Sequence, residues 1–144
     1  MIALTHFVFG LSLAYILDKR LITASAFAIV PDFDLTFNFL NPFVSQGIMH
    51  SLFAAGVFSF LVYVYTEDRL SAESCFLGYT VSGLGLDLLT SSNFPIFFPL
   101  LDSFTLSLAS EQDFAFNLAV LTFSIGLMFL KKYELISIDI SSKL

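Results

Sequence analysis

The chain has 144 residues, of which 57% are hydrophobic and only 12% charged, with a mean hydropathy of +0.87. Soluble domains carry about twice that share of charge, so an ordinary water-soluble fold is excluded. Six Lys+Arg against twelve Asp+Glu give a formal charge of −6, which excludes the clustered cations of a nucleic-acid footprint. The length allows one domain, 1–144, and no polar linker is long enough to separate two. One cysteine, Cys75, excludes an intramolecular disulfide and a Cys-based zinc site; in its apolar run it reads as a buried, inert thiol. Nineteen Phe and no Trp suit hydrocarbon rather than water.

Polar breaks divide the chain into five apolar blocks, 3–17, 21–30, 48–65, 75–90 and 114–130. Block 3–17 lacks a basic start and runs into Lys19-Arg20, so it does not read as a cleavable signal peptide. Blocks 48–65 and 114–130 approach the ~20 residues a helix needs to cross ~30 Å of hydrocarbon. Block 21–30 covers only about 15 Å at ~1.5 Å per residue, which predicts a half-span buried among its neighbours. The expected fold is an all-α integral membrane bundle of about five hydrophobic helices, with four as the alternative.

In a five-crossing arrangement Lys19, Arg20, Arg69, Lys131, Lys132 and Lys143 all fall on one side, which is therefore cytoplasmic. The N-terminus is then outside and the tail, about 131–144, inside. The long connections 31–47 and 91–113 contain no Lys or Arg and face outward. Small residues four apart, Gly10 with Ala14, Ala55 with Ser59 and Gly78 with Ser82, predict close helix approach. Oligomeric state is left open.

An ionisable side chain in or beside a membrane helix costs several kcal/mol unless paired, hydrated or bound to an ion. His6 opens the first helix, Asp32 and Asp34 close the second, His50 opens the third and Asp87 lies near the end of the fourth. All five fall at the outer end. Two imidazoles and two or three carboxylates at one depth make an N/O site for a divalent metal: zinc, with manganese or iron as alternatives. Alone, each has an ordinary reading: an interfacial histidine, or a turn or cap aspartate after Pro31. Neither Ser51 nor Ser82 has the base and orienter of a serine hydrolase. The segment 93–100, with Pro95 and Pro99 among aromatics, reads as an interfacial or re-entrant loop that either guides an acyl chain or plugs the bundle.

These motifs, Thr5-His6 with Gly10, Pro31-Asp32-Phe33-Asp34, Gly47-Ile48-Met49-His50-Ser51, and Gly78 and Ser82 through Asp87-Leu88-Leu89-Thr90, then Pro95 and Pro99, resemble in order the YdjM-like membrane-bound metal-dependent hydrolases. The likeness covers about residues 4–100. More weakly, the order of His and Asp is similar to the zinc-dependent phospholipase C and nuclease group. The resemblance implies a metal held by His6, Asp32 or Asp34, His50 and Asp87, with Asp32 a further ligand or the base. It also implies a hydrolase acting at the outer interface, with a membrane lipid or lipid-linked phosphoester as the economical substrate. The chain departs from the family pattern at Ser45-Gln46, where His-Arg is expected, at Met49, where Thr is expected, and at Gly83, where a histidine should precede Asp87 by one turn. The alternative is a catalytically degenerate scaffold or a small ion-binding or transport protein.

Overall fold

A computed structural model describes residues 3–33, 49–90 and 113–133. Asp34, Ser45-Gln46, the loop 93–100 and the tail beyond 133 lie outside the described residues. The described part is all helical: α1 (Ala3–Ile16), α2 (Leu21–Ala28) with a 3-10 turn (Pro31–Phe33), α3 (Leu52–Thr66), α4 (residues 69–90) and α5 (Phe114–Lys132). Side-chain caps set three of the starts. Ser51 Oγ accepts from the Ala54 amide, Asp68 from Leu70, and Asp113 from Ala115 and Phe116, each satisfying amides that a helix start leaves orphaned. The Asp68 carboxyl is held below the usual carboxylate range, first by the Ser71 hydroxyl and then by the Leu70 amide and Arg20.

The fourth helix differs from the predicted block. It starts at Arg69 instead of residue 75, because its polar first turns have partners on neighbouring chain segments. Glu73 pairs with Lys19, and Ser74 Oγ accepts from the Arg20 amide. Only Glu67 and Asp68 separate it from α3. Its middle, Gly78–Leu84, is π-helical, with the Gly85 amide reaching the Thr80 carbonyl five residues back.

Helix α2 is the short central element, about 12 Å long at ~1.5 Å per residue. It packs between α1 and α4 because both present glycine to it. A Cβ on Gly10 would stand 2.9 Å from the Ala28 methyl, and one on Gly78 only 2.0 Å from the Ala24 carbonyl oxygen. The half-span expected from block 21–30 is thus enclosed by small residues. Around it, α5 packs on α1 and α3 on α4.

Among the described residues the interior is mostly small side chains, many of them polar, with Tyr79, Leu84 and Leu86 as larger members, while much of the exterior is large and apolar. Ser12, Ser25, Ser74, Ser82 and Ser124 are fully buried, while Phe60, Leu61, Val64, Phe114 and Phe123 are all more than half exposed. Ser25, Ser74 and Ser124 return their hydroxyls to a carbonyl four residues back and Ser12 to one three back, so they stay satisfied without water. That inversion suits helices that meet through small residues in an apolar solvent. By length and composition, one described helix, Phe114–Lys132, is long and apolar enough to cross a membrane alone.

Candidate metal centre

The ends of the bundle have different chemistry. At one, where α1 leads to α2 and α3 to α4, lie Lys19, Arg20, Arg69 and Lys131. They are paired as Lys19–Glu73, Arg20–Asp68, Arg69–Glu73 and Lys131–Asp18. Lys131 Nζ also donates to the Tyr15 and Ile16 carbonyls that end α1. Among the described residues the cations are gathered at one end, as the sequence led us to expect; Lys143 lies outside the described residues.

At the opposite end stand His6, Asp32, His50 and Asp87, contributed by α1, the 3-10 turn, the residue before the α3 cap, and the last turns of α4. His6 is fully buried. Its Nδ1 is 3.0 Å from Asp32 Oδ2 and its Nε2 is 3.1 Å from Asp87 Oδ1. The other Asp87 oxygen, Oδ2, is 3.3 Å from His50 Nε2. Both imidazoles thus converge on one carboxylate. Asp87 and His50 are almost completely buried, whereas the Asp32 side chain keeps 23% of its surface exposed.

His6, Asp32 and Asp87 each offer a ligand atom within 4.8 Å of the others, a group that could hold a metal ion. The donor set fits. Nitrogens and oxygens at about 2.0–2.2 Å from one ion lie roughly 3 Å from each other when they are neighbouring ligands, and the observed separations are 3.1 and 3.3 Å. Every Lys and Arg among the described residues is at the far end, so the carboxylate charge here is met by the imidazoles themselves or by a bound cation. Nothing in the donor set selects zinc.

Of the five residues singled out in the sequence, four are therefore brought together; Asp34 lies outside the described residues. Gly83, where the family pattern has a histidine, is filled from outside. A Cβ there would stand 2.9 Å from Pro31 Cγ and 3.0 Å from the Ala28 carbonyl, so the turn carrying Asp32 occupies the space a side chain would need. Gly83→His, the obvious repair by sequence pattern, would push α2 off α4 rather than add a ligand.

Two neighbours were not legible as site residues. Thr5 donates to Asn117 Oδ1 at 2.9 Å, tying α5 to the His6 turn, and Asn117 Nδ2 donates to the Asp113 carbonyl. The signal available was a lone amide in the apolar block 114–130, which is costly in hydrocarbon without a partner. The Tyr79 hydroxyl donates to the Met49 carbonyl beside His50, and a tyrosine in an apolar helix carries no comparable signal. A separate groove of about 610 Å³ lies between α3 and α4, lined by Lys19, Phe60, Tyr63, Phe76 and Val81 among others. Its lining includes the Lys19–Glu73 pair of the cationic end and neither histidine.

No curated protein and no solved structure matches the chain. The family described as YdjM inner membrane protein matches residues 1–138, which bears out the likeness seen in the short motifs. An inverted interior, cations at one end and a buried His/Asp cluster at the other thus belong to a chain of the YdjM inner membrane protein family.

Proposed function

We propose that the chain is a membrane-embedded metal-dependent hydrolase whose site opens at the non-cytoplasmic interface and whose substrate is a lipid or lipid-linked phosphoester. The observation that carries this reading is the convergence of both imidazole Nε2 atoms on Asp87, at 3.1 and 3.3 Å, in a buried setting without a cationic side chain. His6, His50 and Asp87 would hold the ion. Asp32 stands behind His6 at Nδ1, where an accepted N–H fixes the tautomer that leaves Nε2 free to ligate. This favours Asp32 as orienter of His6 over Asp32 as ligand. A bound divalent cation supplies Lewis acidity toward water and toward an ester or phosphoryl oxygen. Asp32 is the member of the cluster that solvent reaches, so it is the carboxylate suited to accept a proton from an attacking water. The family assignment and the apolar exterior support a cell-membrane location, with all five helices embedded and the cationic end cytoplasmic by the positive-inside rule.

The test is metal content of the detergent-purified protein by elemental mass spectrometry, beside a His50→Ala/Asp87→Asn variant, followed by phosphate-ester release from phospholipid vesicles. Near-stoichiometric transition metal in the parent alone, with hydrolysis that a chelator stops, is the expected result. One observation favours a second reading, a catalytically silent scaffold: the histidine expected at Gly83 is replaced by packing against Pro31. Metal uptake without hydrolysis of any vesicle ester would select it.

A further inference from the structure

Helix α4 contributes more to the cluster than Asp87. Tyr79 is fully buried, stacks on Phe58 with ring centroids 5.7 Å apart, and donates its hydroxyl to the Met49 carbonyl, one residue before His50. Three residues on, Ser82 Oγ donates to the backbone carbonyl of His6 itself at 2.6 Å. Asp87 then meets the side chains of the same two histidines. One helix therefore grips each histidine twice, by the main chain at or beside it and by the imidazole.

That alignment depends on the π-helical stretch Gly78–Leu84. Around an uninterrupted α-helix, residues eight apart, such as Tyr79 and Asp87, sit about 80° from one another, because each residue turns ~100°. A wide turn inserts one residue and makes the pair behave as i and i+7, about 20° apart and on one face. Without the insertion, a helix with Tyr79 against Met49 would aim Asp87 well off the histidines. The Gly85 amide bonding to Thr80 marks the insertion. Gly78, whose Cβ would overlap the Ala24 carbonyl, fixes the height at which the stretch meets α2.

We infer that the π-helical turn of α4 is a positioning device for the metal centre, and that the Tyr79 and Ser82 hydroxyls are positioning residues that hold the backbones of residue 49 and His6 so both imidazoles meet Asp87. This rests on the metal-site reading above. Neither hydroxyl is proposed as a ligand: each is already committed to a carbonyl.

The experiment compares the full chain with Tyr79→Phe, Ser82→Ala and the control Ser124→Ala, which removes an equally buried serine hydroxyl bonded within its own helix at Val120. Each purified protein is loaded with cobalt(II), and the visible d–d absorption and the cobalt affinity are recorded. Positioning predicts that Tyr79→Phe and Ser82→Ala each weaken cobalt binding about tenfold, the scale of lost outer-shell support, and change the band positions or intensities. Ser124→Ala should match the parent in both. Cobalt spectra and affinities identical to the parent in both site variants would overturn the inference while leaving the metal site standing. Equal weakening in all three variants would also overturn it, since general loosening explains that result. A parent that binds no cobalt would overturn the metal-site reading, and the inference with it.

Discussion

The two ends of the bundle use similar residue types to opposite ends. At the cationic end, charged groups are at least partly exposed, and Lys19, Arg20, Arg69 and Lys131 each meet an acid on another segment or one turn away, as in Lys131–Asp18 and Arg69–Glu73. Exposed pairs of this kind are worth about 0–1 kcal/mol each, so this end amounts to a solvated rim that joins helices. At the other end, two acids and two imidazoles are drawn together, all but Asp32 nearly fully buried, and no lysine or arginine among the described residues joins them. Buried charge costs several kcal/mol unless compensated. The difference between the ends is the physical observation on which the proposed function rests.

The comparison can be broken most directly at Asp87. Asp87→Asn keeps the shape and removes the charge shared by both histidines; metal affinity is expected to fall at least about 100-fold, beyond the scale of outer-shell losses, as read by competition with a chelator. An unchanged affinity would make the buried end as inert as the rim. Between the ends, Gly78→Ala should destabilise the bundle by about 3 kcal/mol, the upper range for overpacking, because its methyl would overlap Ala24. Gly56→Ala, with nothing within 4 Å, should be neutral or stabilising by up to about 1 kcal/mol through helix propensity; unfolding in mixed micelles compares them.

Asp32→Asn sharpens the distinction between ligand and orienter. With Asp32 as orienter of His6, metal affinity should drop about 10-fold while stoichiometry is kept; loss of the ion altogether would make Asp32 a ligand. At the rim, Lys131→Met removes a pair with Asp18 and the cap on the α1 carbonyls. It should cost at most about 1 kcal/mol, with metal content unaffected.

Much of this was readable in the chain. The apolar blocks gave five helices, of which α1, α2 and α5 start where expected; α3 starts at Leu52 rather than 48, leaving His50 ahead of the Ser51 cap instead of in the helix, and the polar first turns of α4 look like a connection until Lys19 and Arg20 supply partners. The order of cations and of His and Asp gave the two ends, because in a bundle of alternating helices position along the chain alternates between them. Gly83 was readable only as a missing ligand. Its packing against Pro31 could not be seen, since the space beside a glycine belongs to residues distant in sequence.

The sequence by itself determined that this is an all-α chain with an apolar exterior, ionisable residues gathered at both ends and a likeness to one membrane family. The first two follow from composition and the lengths of the apolar blocks, the third from the order of charged residues along the chain, and the family likeness from the resemblance of its ordered motifs. Only the tertiary structure decided that His6 lies between two aspartates, that Asp87 serves both imidazoles, and that a π-helical turn brings Tyr79 and Asp87 onto one face. Those contacts depend on the height at which α2 crosses its glycine neighbours and on one inserted residue in α4, both set by close packing between segments and by no local preference of the residues themselves.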